Sequence, residues 1–132
     1  MRSSVIALLS LGTVGAALAQ DFAPHVYLGR LPCELRQTAT LRVNPDLPGH
    51  YVLNFKKHVF HMTLMATPSG AVRLEDPQAG VIWIQLNTKS MLMDQQRGVR
   101  LLDECQHPTQ AAMAQAMRSS PPNSLLAEEP SR

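Results

Sequence analysis

Two short polar loops carry the side chains with the clearest chemical potential in this sequence. The first, the Ser69 loop, spans residues 67–71 and reads Thr-Pro-Ser-Gly-Ala between two strand-like runs. Proline and glycine on either side of Ser69 favour a tight turn that directs the serine side chain outward. The second, the Lys89 loop, spans residues 87–90 and reads Asn-Thr-Lys-Ser after the next hydrophobic run. We expect the loops to present Ser69 and Lys89 side by side, as a hydroxyl and an ammonium that can both donate hydrogen bonds to carboxylates.

A nucleophilic enzyme is one alternative for Ser69. A histidine and Asp76 could complete a catalytic set, but the Gly-x-Ser-x-Gly turn between a strand and a helix is absent from the sequence. The sequence also lacks a glycine-rich phosphate loop and a dinucleotide-binding fingerprint. We therefore interpret the protein as a binding protein and not as an enzyme.

The histidines offer a second alternative, a metal site. His58 and His61 are three residues apart, which suits a metal ion when both lie on a helix. The surrounding residues alternate as in a strand, where residues three apart point to opposite faces. His50 shares the parity of His58 but falls on a neighbouring strand. We expect polar surface or cross-strand histidines, and we predict no metal and no cofactor.

The elements that must position the two loops have the pattern of short β-strands. Apolar side chains recur at every second position in three successive runs: Ala39, Leu41 and Val43; Tyr51, Leu53 and Phe55; Phe60, Met62 and Leu64. Turn-forming residues separate these runs, which is typical of an antiparallel barrel or sandwich. We predict an all-β fold, a small antiparallel β-barrel of about eight strands, because closure removes exposed strand edges. A sandwich remains the alternative.

The most hydrophobic run leads directly into the Lys89 loop. Ile82, Ile84 and Leu86 share one face of this strand, and Trp83 and Gln85 share the other. Trp83 thus lies on the more polar face. We interpret it as a packing residue on a second face, with stacking against a ligand as the alternative.

Residues 1–19 have the features of a signal peptide. A positive Arg2 precedes a short apolar stretch, and Ala17-Leu18-Ala19 fits the small-x-small cleavage pattern before Gln20. The apolar stretch is too short and too interrupted for a membrane span. We predict export to the periplasm, cleavage near Ala19 and no membrane anchor.

Charge argues against a polyanionic partner. The signal peptide contains one of the twelve basic residues, so eleven Lys and Arg remain against ten Asp and Glu. The remaining chain is close to neutral and has no basic field for nucleic acid or an anionic membrane.

Cys33 and Cys105 are the only cysteines. In an exported chain an even pair indicates a disulfide. The two residues bracket almost everything that resembles a folded domain, and a redox or metal pair would require closer spacing. We predict that this disulfide closes the barrel.

The domain boundaries follow from these elements. We assign residues 20–108 to the barrel and residues 109–132 to a flexible C-terminal tail, in which residues 110–118 could form a helical turn or two. The sequence Ser-Ser-Pro-Pro-Asn at residues 119–123 would end that segment.

The order of motifs resembles a known family. Thr67-Pro68-Ser69-Gly70-Ala71, then Trp83, then Thr88-Lys89-Ser90 and a closing cysteine are similar to the membrane-bound and periplasmic inhibitors of c-type lysozyme. That family typically has a Ser-x-Ser-Gly-Ala loop, a strand with aromatic residues and a Thr-Lys-Gly loop. Its members are antiparallel barrels of about eight strands, often with a disulfide between the two ends of the domain. The resemblance covers Cys33 to Cys105.

The resemblance implies a protein target, c-type lysozyme, and a set of inhibitory residues. Ser69 and Lys89 take the main positions, Thr67 and Thr88 support them, and Gly70, Ala71 and Ser90 complete the two loops. Three features depart from the family pattern. Thr67 replaces a serine, Ser90 replaces a glycine, and Val72-Arg73-Leu74 stands where an aromatic residue is usual. These departures bear on affinity and target range more than on the fold.

One further function, from a different class, stays open at this stage. A periplasmic small-ligand carrier or envelope-assembly factor would use a barrel pocket lined by Trp83 and methionines. A second copy of the chain, forming a homodimer, is a further candidate partner.

Overall fold

The computed structural model describes residues 25–120, and all contacts given below belong to that range. The predicted signal peptide at residues 1–19 lies outside it. The elements follow in the order β1 (Gly29–Pro32), a 3-10 turn (Glu34–Arg36), β2 (Thr38–Val43), β3 (His50–Phe55), β4 (His58–Met65), β5 (Val72–Asp76), β6 (Val81–Gln85), β7 (Ser90–Asp94), β8 (Val99–Cys105) and α1 (Pro108–Ser119). Within residues 25–120, no helix combines the length and the apolar character that crossing a bilayer requires.

The eight strands form one antiparallel sheet in which each strand pairs with the next along the chain. The sheet curls until β1 and β8 meet at a seam. There the Gln106 N–H donates to the Pro32 carbonyl at 3.0 Å, and Cys33 and Cys105 form a disulfide with an S–S distance of 2.06 Å. The fold is therefore a nearly closed barrel, and the predictions of an eight-stranded barrel and of this disulfide are confirmed.

The barrel interior is built from the predicted alternation. Leu41 on β2, Leu53 on β3 and Met62 on β4 have no exposed surface. Equally buried side chains come from the other strands: Leu31, Leu74, Trp83 and Leu92. Alternate residues point inward because successive side chains of a strand project to opposite faces.

The structure shows that the face of β6 with Trp83 and Gln85, the more polar one in the sequence, is the face inside the barrel. Trp83 is fully buried and packs in the core, and Gln85 is only 7% exposed. Ile84 is only partly buried, and Leu86, just after the strand, is 40% exposed. Because β6 is apolar on both faces, alternation alone cannot distinguish inside from outside. The barrel interior accepts the largest side chain, where burial of its apolar surface stabilises the fold most.

Strand β8 is irregular where it approaches the seam. Ser90 pairs with Cys105 and Leu92 pairs with Leu102, so three steps along β8 match two along β7. This is a β-bulge, an extra residue that bends the strand and redirects side chains. Glu104 lies in the bulge with φ at 54°, in the left-handed region that non-glycine residues rarely adopt.

The segment predicted as the start of a flexible tail is a helix of 12 residues, longer than the one or two turns expected. His107 is its N-cap: the ring Nδ1 accepts a hydrogen bond from the Thr109 N–H at 3.2 Å. The Gln110 side chain accepts from the His107 N–H at 2.9 Å, and Pro108 occupies the first turn. Histidine is not among the preferred caps, so the sequence signal was weak. Residues 121–132 of the predicted tail lie outside the described range.

We predict that removing the disulfide strongly destabilises the barrel. The bond joins residues 72 positions apart, and closing a loop of that size should stabilise the fold by about 4 kcal/mol. A double variant, Cys33→Ser with Cys105→Ser, should lose about this amount in urea unfolding.

Reductant provides the control for this prediction. It should destabilise the wild-type protein and leave the double variant unchanged. A wild-type protein that is equally stable with and without reductant would contradict the prediction.

Candidate functional site

The Ser69 loop and the Lys89 loop lie at the same end of the barrel. They follow β4 and β6, and alternate connections of an up-and-down sheet share an end. Together they line one depression of about 470 Å³, the loop concavity. Its lining residues are Ser69, Gly70, Ala71, Gln85, Leu86, Asn87, Thr88 and Met117. The fold thus brings together two loops that the sequence separates.

The Ser69 loop is a closed turn with one free hydroxyl. The Gly70 N–H donates to the Thr67 carbonyl at 3.3 Å, and φ of Gly70 is 74°. The Thr67 hydroxyl donates to the Ala71 carbonyl at 2.7 Å, so it is committed to holding the loop. Ser69 is exposed, and its oxygen only accepts a long contact of 3.4 Å from the Ala71 N–H. The Ser69 hydroxyl proton is therefore available to a partner.

Lys89 turns toward β8 and is not among the residues that line the loop concavity. Its Nζ lies 2.7 Å from Glu104 Oε1 and 3.2 Å from Asp103 Oδ1. Hydrogen bonds to Glu104 and then to Asp103 favour the charged amine and raise the pKa of Lys89. Lys89 is thus a firmly protonated cation beside the loops, already paired with two carboxylates of its own chain.

The bulge in β8 explains how both carboxylates reach Lys89. Successive side chains of a regular strand point to opposite faces, and the extra residue removes this restriction for Asp103 and Glu104. Burial raises the pKa of Asp103, but the Glu104 N–H and the Lys89 ammonium outweigh it and hold that pKa below its ordinary value. The Arg100 guanidinium also lies 2.8 Å from Asp103 Oδ2. Asp103 is therefore ionised and stabilised where the loop meets the seam.

Ser90 supports the Lys89 loop from inside. It is the first residue of β7 and is fully buried, and its hydroxyl oxygen accepts from the Gln110 side chain at 2.9 Å. Gln110 also donates to the Leu86 carbonyl at 2.9 Å, and the Gln106 side chain donates to the Thr88 carbonyl at 2.9 Å. Sequence reasoning missed the role of these glutamines, because a lone glutamine beside a loop carries no signal. No residue from 87 to 90 has a positive φ, so serine in place of glycine causes no backbone strain.

The segment before β1 braces the same end of the barrel. The Tyr27 N–H donates to Gln85 Oε1 at 2.8 Å, and Gln85 Nε2 donates to the His25 carbonyl at 2.7 Å. The Tyr27 ring stacks on His107, with 4.9 Å between ring centroids. The side-chain amide of the buried Gln85 thus has hydrogen-bond partners. The stacked rings join the segment that precedes β1 to the segment that follows β8, beside the two loops.

Exposed apolar side chains surround the two loops. Met65 at 40%, Leu86 at 40% and Met117 at 45% exposure form what we call the apolar rim. Leu86 and Met117 line the loop concavity, and Met65 and Leu86 line an adjoining groove of about 490 Å³. Scattered exposed apolar residues are normal on a protein surface, but a group around a depression is typical of an interaction site.

Asp76 and His50, two of the residues considered for catalysis or metal binding, have structural contacts. Asp76 is buried and accepts the N–H groups of His61 and Ala79, both at 3.0 Å. His50 lies 3.3 Å from the Thr63 hydroxyl. Among residues 25–120, no three histidine, cysteine or acidic side chains gather closely enough to hold a metal ion.

Comparisons of the chain with protein-family models, with curated proteins and with solved structures gave no match. The functional argument therefore depends on the motifs and on the geometry of this end of the barrel.

We predict that Gln110→Ala loosens both α1 and the Lys89 loop. The substitution leaves Ser90 and the backbone of Leu86 and His107 without their partner, which should cost about 2 kcal/mol. Hydrogen exchange should accelerate at the amides of α1 and of residues 87–90.

Gln115→Ala is the matched control, because Gln115 is exposed on the same helix. Loosening of equal size by the two substitutions would contradict the role of the buried amide, because alanine has a higher helix propensity than glutamine and does not by itself destabilise a helix.

We predict an acid-sensitive contribution from Asp103. Its folded pKa is lowered, so its stabilising effect is present above the unfolded value of about 3.9 and is lost as pH falls through the folded value. Asp103→Asn should therefore be less stable than wild type at neutral pH, and the difference should shrink below about pH 4. Urea unfolding over this pH range measures it. A constant difference at all pH values would contradict the assignment.

Proposed function

We propose that the protein is an exported, periplasmic inhibitor of c-type lysozyme that occupies and blocks the enzyme's active-site cleft with its Ser69 and Lys89 loops. The order of loop motifs, aromatic strand and closing cysteine supports this proposal. The observation that carries it is the loop concavity: two loops separated by β5 and β6 line one depression at one end of a rigid barrel. Two loops that offer a serine hydroxyl and a lysine ammonium are suited to a cleft that contains carboxylates.

The chemistry required of such an inhibitor is modest. A lysozyme of this type hydrolyses its substrate with two carboxyl groups in an open cleft. An inhibitor has to occupy that cleft and satisfy those carboxyl groups. The Ser69 hydroxyl supplies one hydrogen-bond donor and the Lys89 ammonium supplies charge and up to three donors, while the loop backbone excludes the saccharide.

Lys89 can bind a target carboxylate and still keep one of its two carboxylate partners within its own chain. Glu104 is half exposed, and an exposed ion pair contributes about 0–1 kcal/mol, so exchanging Glu104 for a target carboxylate costs little. Asp103 is only 9% exposed and can keep its contact with Lys89. The ammonium would then bridge Asp103 and the target, so the buried pair is never broken.

The rigidity of this end of the barrel would also contribute to binding affinity. The disulfide, the Gln110 hydrogen bonds and the stacked Tyr27 hold this end of the barrel before any partner arrives. A preorganised surface loses less conformational entropy on binding. Because the chain is nearly neutral, long-range steering toward a basic enzyme would be weak, and affinity would come from local contacts.

The packed interior favours an inhibitor over a small-ligand carrier. Trp83 and the leucines around it have no exposed surface, which leaves no water-sized space against them. An internal carrier pocket would need such space. Trp83 and Met62 fill the barrel and are unsuited to the ligand-lining role considered from sequence.

We predict that Lys89→Ala weakens inhibition by about 2 kcal/mol or more, which is about a 30-fold change, because a charge partner at the interface is lost. Ser69→Ala should have a smaller effect, because it removes one neutral donor. The measurement is clearance of a bacterial cell-wall suspension by hen-type lysozyme, with and without each purified variant.

Lys57→Ala is the control, since Lys57 is an exposed lysine in the turn between β3 and β4, at the other end of the barrel. Wild-type protein that fails to inhibit at a large molar excess would refute the proposed function. Inhibition by Lys89→Ala and Ser69→Ala at wild-type strength would show that other residues bind the target.

A further inference from the structure

In the proposed function helix α1 supports the Lys89 loop and makes no contact with the target, yet it adjoins the same surface. Met117, in its last turn, lines the loop concavity together with Ser69 and Thr88. Met113 lies one turn earlier and is equally exposed, at 46% against 45% for Met117, but it does not line the concavity. The position of α1 therefore places Met117 beside the loops and Met113 away from them.

Helix α1 is held firmly to the Lys89 loop. Gln110 is fully buried and donates to the Leu86 carbonyl and to Ser90, each at 2.9 Å. Just before the helix, Gln106 donates to the Thr88 carbonyl at 2.9 Å. Because these bonds end on the loop itself, the loop and the helix present one continuous surface.

The exposed side of α1 is unusually poor in charge. A helix on a protein surface normally carries charged side chains on its solvent side. In Pro108–Ser119 the only charged residue is Arg118, and alanine and methionine occupy exposed positions at helical spacing: Ala112, Met113, Ala116 and Met117. Methionine is a flexible, polarizable side chain that adapts to a partner surface. Such a face beside two exposed loops is suited to a protein contact.

Charge indicates what kind of partner fits. No acidic side chain occurs on α1 or among the residues that line the loop concavity. Arg118 offsets the partial negative charge of the helix C-terminus. The surface is therefore neutral to positive around an apolar rim, which complements the wall of an acidic cleft.

We propose that α1 is a third element of the target-binding surface, and that Met117 contacts the wall of the carboxylate-bearing cleft that receives the two loops. This inference rests on the proposed function, because the cleft is that of the lysozyme-class target.

The test compares Met117→Glu with Met113→Glu in the same cell-wall clearance assay. Both substitutions introduce the same charge at equally exposed positions of one helix, and circular dichroism verifies that the helix is retained. Met117→Glu should weaken inhibition about tenfold or more, because it replaces an apolar contact with a carboxylate facing an acidic wall. Met113→Glu should remain within about twofold of wild type.

Each other result overturns the inference. Wild-type inhibition by Met117→Glu would exclude α1 from the contact, and equal weakening by both variants would indicate a general charge effect. A wild-type dimer that Met117→Glu converts to a monomer in sedimentation would assign this face to self-association. Wild-type protein that does not inhibit would refute the proposed function and this inference together, whereas inhibition unaffected by Met117→Glu would refute the inference alone.

Discussion

The seam between β1 and β8 is the constraint on which the rest of the structure depends. Seven antiparallel pairings join each strand to the next, but the first and last strands meet through the Cys33–Cys105 disulfide and one backbone bond from Gln106 to Pro32. A small barrel with an open seam would expose strand edges and an apolar interior to water. The covalent bond closes that gap and fixes the position from which α1 departs.

A polar network extends from this seam to the exposed loops. The bulge at Glu104 directs two carboxylates toward Lys89, and the buried amide of Gln110 joins α1 to Ser90 and to the Leu86 carbonyl. The buried members of this network, Asp103, Ser90 and Gln110, each have a partner, as a low-dielectric interior requires. The same network leaves the Ser69 hydroxyl and the Met117 side chain uncovered, so rigidity and exposure coexist at one end of the barrel.

Most of the strands could be predicted because their chemistry is local. Alternating apolar residues in β2, β3 and β4 and the turn residues between them specify short strands, and two cysteines in a chain predicted to be exported indicate a disulfide. Prediction failed where the burial or the partner of a side chain is determined by residues distant in the sequence. The role of Gln110 and the pairing of Lys89 with Glu104 depend on partners 15 or more positions away. The burial of Trp83 depends on which face of the closed sheet lies inside the barrel. Ser90 resembled an exposed loop residue, because nothing local reveals that α1 covers it.

The sequence by itself determined the strand pattern, the turns, the cysteine pair and the identity of the two polar loops, because these follow from residue type and spacing along the chain. Only the tertiary structure decided which face of β6 lies inside, that the Ser69 and Lys89 loops share one concavity, and that α1 stands beside them. Closing a sheet into a barrel brings residues together according to strand register and seam position. Those quantities arise from the packing of the whole domain and not from any single segment.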